Sequence, residues 1–166
     1  MVNRVKKTTE EKMKTLLAKY TYPPVEVTIP ILEKAGRGEE ELASQIHEID
    51  VSILSGLMEI FNLKEKNMRT VAKIFGVLLS YYGQKYEPLV LSENRFSLSV
   101  SDCPMLHVGK NVNMATRSRY CDVLCSSTAK ALAKLVLGDA SSCSWDKALI
   151  KGGRKCTVAF ELVKSK

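Results

Sequence analysis

The feature that most constrains this chain is a change of hydrophobic period near residue 84. From Glu39 onward, Leu42, Ile46, Ile49, Ile53, Leu57 and Ile60 recur every three or four residues, the spacing of a helix with one buried face. A second such segment runs from Asn67, a helix-capping residue, to Gly83, a helix-ending one. Beyond it the period falls to two. Phe96, Leu98 and Val100 point to one side of a strand while Ser97, Ser99 and Ser101 point to the other. Val158, Phe160 and Leu162 repeat the pattern near the C-terminus. Helices set apart from antiparallel strands predict an α+β fold, with N-terminal helices packed on an antiparallel sheet.

Local signals fill in the order of elements. Thr8 or Thr9 caps a helix that presents Met13, Leu16, Leu17 and Tyr20, and Tyr22-Pro23-Pro24 stops it. Residues 25–36 read either as a strand on Val25, Val27 and Ile29 or as a short helix opened by Pro30. Ser92-Glu93-Asn94 joins two strands, and Pro104 closes the second. A polar loop with Gly109, Asn111 and Asn113 leads to a helix from Cys121 to Leu137, ended by Gly138-Asp139. Residues 141–163 form a hairpin. The C-terminal half is thus hairpin, helix, hairpin. The 166 residues suit a single domain, 1–166, made of an N-terminal helical part, 1–66, and a core, 67–163.

Composition narrows the functional classes. No apolar run approaches the ~20 residues of a membrane span, and the charged start MVNRVKKTTEEKMK lacks the apolar stretch of a signal peptide. A cytoplasmic protein is expected. The net charge of +7 draws on six basic residues among the first 19 and more at the C-terminus, the pattern of solvated ends. Residues 39–63 faintly resemble a helix-turn-helix, but the would-be reading helix, Asp50 to Phe61, carries no Lys or Arg. Nucleic-acid binding is therefore not expected.

Chemistry concentrates in the cysteines. All five (Cys103, Cys121, Cys125, Cys143, Cys156) come after residue 100, which favours one shared site over scattered core use. A reducing compartment argues against a disulfide framework. Cys121 and Cys125 fall one helical turn apart, so both could face one ion, yet no CxxC pair is present and small-residue packing explains them equally well. The last hairpin sets a condition on the rest. With a two-residue turn at Gly152-Gly153, Cys156 faces Leu149 and lies roughly 20 Å from Cys143; only a longer, irregular loop lets the two meet. The two histidines are read as a solvent-facing His47 and a loop residue, His107, four positions after Cys103.

The segments FSLSVSDCP, RYCDVLCSSTAKALAKLVLG and KALIKGGRKCTVAFEL together resemble the 4-vinyl-reductase, or hydrocarbon-binding, domain family across residues 67–163. The Cys-Pro after a strand is similar to that of L-2-amino-thiazoline-4-carboxylic acid hydrolase-like proteins. The resemblance implies an α+β domain that binds a small apolar molecule, forms a homodimer and holds zinc through cysteines. The 1–66 part would then serve as a dimerisation arm. Position by position, it assigns Cys121 to the helix-opening ligand and Cys156 to the ligand of the last strand. Cys143 and Cys103 complete the expected set, with Cys125 as alternate. Ala148 stands where the family pattern has another cysteine.

Two functions emerge from this reading. The first is a ligand-binding or sensing domain with structural zinc, its pocket walled by Ile53, Leu57, Phe61, Phe75, Leu78, Leu79 and Tyr82. The second is a hydrolase of a small carbon–nitrogen compound. There Cys103, beside Asp102, would act as nucleophile or metal ligand with His107 as base.

Overall fold

The structure, a computed structural model, describes residues 8–19, 39–103, 114–146 and 148–163. Tyr20, the Tyr22-Pro23-Pro24 stop, residues 25–36, Pro104, the loop glycine and asparagines, and His107 lie outside them. Among the described residues, helices α1 (Thr9–Lys19), α2 (Glu39–Ile60) and α3 (Met68–Tyr81) precede strands β1 (Lys85–Leu91) and β2 (Arg95–Asp102). A continuous helical segment comes next: α4 (Met114–Cys121), a π-helical turn (Asp122–Ser126) and α5 (Ser127–Leu137). Strand β3 (Ser141–Trp145), a 3₁₀ turn (Ala148–Lys151) and β4 (Cys156–Leu162) complete the chain. The fold is α+β, as the change of period predicts.

Helix ends obey local chemistry. The side chain of Asn67 accepts a hydrogen bond from Thr70 N (3.0 Å), satisfying a donor that the first turn of α3 would leave open. Gly83 takes φ +68 just past that helix and Gly138 takes φ +82 at the end of α5, conformations that a side chain would strain. At the start of α1, Thr8 N bonds Glu11 Oε2 while Glu11 N bonds Thr8 Oγ1, a reciprocal capping box.

The four strands form one antiparallel sheet in the order β1-β2-β4-β3. Each hairpin contributes two neighbours, and the join between hairpins is the pairing of β2 with β4. Side chains directly opposed across an antiparallel ladder share a face. The register therefore builds three helix-facing rows: Tyr86–Val100–Cys156, Pro88–Leu98–Val158–Trp145 and Leu91–Phe96–Phe160–Cys143. Helix α3 covers β1 and β2, α5 covers β3, α2 rests on α5, and α1 rests on α2.

Phe160 sits at the centre of the helix–sheet interface. It is fully buried, stacks near-parallel on Phe96 (5.8 Å) and meets the edge of Phe75 (5.1 Å). Ile53, Leu57, Phe75, Leu78 and Leu79, expected to wall a pocket, belong instead to this packed core, along with Leu17, Leu98, Leu132 and Val158.

The outward face of β2 carries small residues, and ion pairs cross between strands at either end of it. Ser97 and Ser99 are 3% and 5% exposed although they face away from the helices. Arg95–Glu161 (3.3 Å) and Lys155–Glu87 (3.3 Å) each reach across strands, the second spanning β2 from β4 to β1. The register makes Phe160 the side chain whose loss opens the largest void. Replacing Phe160 by Ala is expected to lower unfolding free energy by about 3–5 kcal/mol, read from the midpoint of urea denaturation, while Thr157→Ala on the exposed face of β4 leaves it nearly unchanged.

Candidate functional site

The helical segment that carries Cys121 and Cys125 is not uniform. Just after Cys121 the backbone widens into the π turn Asp122–Ser126, which contains Cys125. Such a turn inserts an extra residue and reorients the helix beyond it, and it concentrates at functional sites. Helix α2 braces it. Asp50, fully buried on α2, accepts a hydrogen bond from Thr128 Oγ1 (2.8 Å), and the same hydroxyl lies 2.9 Å from Leu124 O within the π turn. A buried carboxylate requires such a donor. It thereby ties the end of the π turn to the helix packed against it.

Cys121 is 2% exposed, and its side chain is hydrogen-bonded to that of Cys125. Cys125 also senses Cys103, just past the end of β2, and Cys156, the first residue of β4. Sulfurs from three parts of the chain thus lie near enough to one another for Cys103, Cys121 and Cys156 to oppose ionisation of Cys125. The reason lies in the β2–β4 register: Val100 opposes Cys156, so the residue that leaves β2, Cys103, is delivered to the same end. The hydrogen bond with Cys121 first, then burial and the charges of the other three, hold the Cys125 thiol well above its ordinary pKa. Burial likewise raises Cys156, opposed by the backbone N–H of Leu149, which donates to Cys156 Sγ at 3.3 Å, and by the Trp145 indole. The donors are all soft. Yet among the described residues no three His, Cys, Asp or Glu side chains stand as a ready-made metal-binding group.

Cys143 is elsewhere. The last hairpin has no two-residue turn; residues 146–155 form a longer connection that includes the 3₁₀ turn. That is the irregular loop a Cys143–Cys156 meeting requires, and the two still do not meet. Cys143 opposes Phe160, four residues along β4 from Cys156, or on the order of 13 Å. It lines a separate cleft of about 300 Å³ with Asp122, Ser126, Lys130 and Trp145. Burial pushes its thiol up to about 12, with Lys130 pulling it down in part. Spacing cannot reveal this division of the cysteines, because it depends on a strand register and on the π turn.

For the hydrolytic reading, Cys103 is 7% exposed and Asp102 lies 3.6 Å from Lys85 in an ion pair, while His107 is outside the described residues. His47 is exposed on α2.

A second cavity of about 450 Å³ opens on the outer side of α3. Met13 of α1, Phe61 after α2, Ala72, Gly76 and Val77 of α3, and Tyr86 of β1 line it, with Tyr81, Lys73 and Ser80. Lys73 Nζ lies 5.1 Å from the centre of the Phe61 ring, a cation–π contact. Gly76 is needed for the close approach of Tyr86, since a Cβ there would fall 2.7 Å from the Tyr86 hydroxyl. Of the residues expected to wall a pocket, Phe61 alone lines this cleft.

No protein-family model and no curated protein matches the sequence. No helix among the described residues is long and apolar enough to cross a membrane.

The two cysteine environments differ in a measurable way. With its thiol near 12, Cys143 carries roughly a thousandfold less thiolate at pH 8 than a thiol at 9.0, and thiolate is the reactive form. In the folded, reduced protein, iodoacetamide is expected to alkylate Cys143 at least about tenfold more slowly than in the urea-unfolded chain, because the greater nucleophilicity of a high-pKa thiolate offsets part of its scarcity. Lys130→Ala slows it further by removing the charge that favours thiolate. Peptide mass spectrometry over time reads both rates.

Proposed function

We propose that this chain is a small-molecule-binding module for an apolar ligand, with a zinc ion held by cysteine sulfur as a structural clamp. One observation carries the reading: Cys103, Cys121, Cys125 and Cys156, remote in sequence, share one buried neighbourhood. The donor chemistry fits zinc, which takes four thiolates in a closed, structural shell. Cys125 replaces Cys143 in the proposed set, and full closure requires the four sulfurs to draw inward. When bound, the ion would supply a cross-link between the end of β2, the π turn and the start of β4. The Leu149 N–H holds Cys156 Sγ in place, and Cys121 and Cys125 are already in contact. Four thiols kept reduced suit a cytosolic setting.

The ligand site in this reading is the cleft on α3. Its volume lies within the range of small-molecule pockets, and its walls are mainly aliphatic and aromatic. Lys73 and Ser80 provide polar contacts for an apolar molecule with one oxygenated end. The kinship with 4-vinyl-reductase domains suggested by residues 67–163 belongs to the same proposal, as does the homodimer that kinship implies.

Protein isolated under reducing conditions is expected to carry about one zinc per chain by elemental analysis. Cys121→Ser with Cys156→Ser abolishes it, whereas Cys143→Ser leaves it unchanged. Native, folded protein without metal that also fails to take up added zinc overturns the clamp. The cleft is checked separately with the apolar fluorophore N-phenylnaphthylamine. Saturable binding is expected, weakened roughly ten- to hundredfold when Ala72→Trp fills the cleft. Binding that Ala72→Trp leaves intact removes the cleft as the ligand site.

A further inference from the structure

The cleft on the outer side of α3 carries its charge on one side chain. Ala72, Lys73, Gly76, Val77 and Ser80 line it from that helix. The spacing of Lys73, Gly76, Val77 and Ser80 puts all four on one helix face. Lys73 and Ser80 stand at the two ends of this stripe, about 10 Å apart along the helix axis. Tyr86 brings its hydroxyl against Gly76, between them. Among the described residues, the polar side chains of the lining are one ammonium and the hydroxyls of Ser80, Tyr81 and Tyr86; no Asp or Glu joins them. Phe61, another lining residue, keeps the ammonium on the cleft side, 5.1 Å from its ring centre. An aromatic face is a weak partner for an exposed cation. Among the described residues no carboxylate pairs with Lys73.

We propose that the ligand of this cleft is an amphipathic carboxylate, and that Lys73 is the residue that selects its charge. The proposal rests on reading the cleft as a ligand site and is independent of the cysteines. The apolar body lies against Met13, Ala72 and Val77, and the carboxylate meets the ammonium at the Phe61 end. Trading a ring face for a carboxylate gives Lys73 a charge-assisted hydrogen bond in place of a cation–π contact. A ligand ammonium would face Lys73 as a like charge with no acid in the lining to receive it. A neutral alcohol would leave the lysine charge uncompensated. Lys73 is exposed, so the gain is modest and sensitive to salt. It decides which ligand is preferred more than how tightly any ligand is held.

The test displaces N-phenylnaphthylamine from the full chain, at neutral pH and low salt, with three ligands of equal chain length: octanoate, 1-octanol and octylamine. Octanoate is expected to bind about three- to tenfold more tightly than octanol, with octylamine the weakest. Its advantage is expected to shrink as salt is raised. Lys73→Met is expected to abolish the difference between octanoate and octanol while leaving octanol unchanged. Lys73→Arg retains the preference, and Lys73→Glu reverses it in favour of octylamine. A lysine that only shapes the cleft would shift all three ligands alike. The urea midpoint of each variant is expected to stay at the native value, because Lys73 is exposed. If the fluorophore binds and Ala72→Trp weakens it, but octanoate is no better than octanol or keeps its advantage in Lys73→Met, the carboxylate proposal is overturned and the cleft stands. If the fluorophore fails to bind, or binds regardless of Ala72→Trp, the cleft fails as a ligand site and the proposal falls with it.

Discussion

Everything at the two candidate sites depends on the antiparallel pairing of β2 with β4. These strands lie some sixty residues apart in sequence, and their register, Phe96 with Phe160 through Val100 with Cys156, joins two otherwise separate hairpins into one sheet. Closing so long a loop costs conformational entropy that only a well-packed interface offsets. The interface is aromatic and aliphatic: Phe160 stacked on Phe96 under Phe75, Leu98 beside Val158, all nearly inaccessible to water. Once this ladder forms, the helical excursion between the strands is held at both ends. The end of β2 and the start of β4 then arrive together at the π turn.

Gathering thiols in this way is unfavourable by itself. Burial removes water from each sulfur, and neighbouring charges oppose ionisation, so Cys125 and Cys156 are both held above the ordinary thiol range. Cys103, Cys121 and Cys156 also belong to the buried core, where a thiol packs as a small apolar group. The backbone N–H of Leu149 donates to the sulfur of Cys156. A divalent cation reverses the electrostatic balance, because each thiolate then faces positive charge. The contrast with Cys143 is instructive: burial raises it too, but a lysine rather than other sulfurs stands nearby.

The elements were legible from period and punctuation. Asn67, Gly83 and Gly138 bound the helices where capping chemistry puts them, and Phe96, Leu98 and Val100 face the helices with the serines turned away. Long-range and subtle features stay hidden in such a pattern. An apolar position at helical spacing does not say whether it faces a cavity or a core, and Phe75, Leu78 and Leu79 proved to be core while Ala72 and Val77 beside them line the cleft. The partition of the cysteines depends on which residue of β4 opposes Cys143 and on a π turn that no propensity announces. A hairpin reading based on Gly152-Gly153 fails because the 3₁₀ turn at Ala148–Lys151 absorbs residues that a tight turn would have paired.

The same register links the two sites. Tyr86, a wall of the apolar cleft, opposes Val100, and Val100 opposes Cys156. At about 4.8 Å per strand, the cleft wall and Cys156 are two steps apart on one rung of the sheet. Val100 between them is 1% exposed and tightly enclosed, so it cannot yield independently. Tyr86 is also pressed against Gly76, where the lack of a side chain lets its hydroxyl approach α3. A molecule in the cleft would lie against that contact. The β2 ladder thus sets a wall of the cleft, Tyr86, and the thiol of Cys156 on one rung of the sheet, although the other side chains of the cleft and of the cysteine neighbourhood belong to different elements.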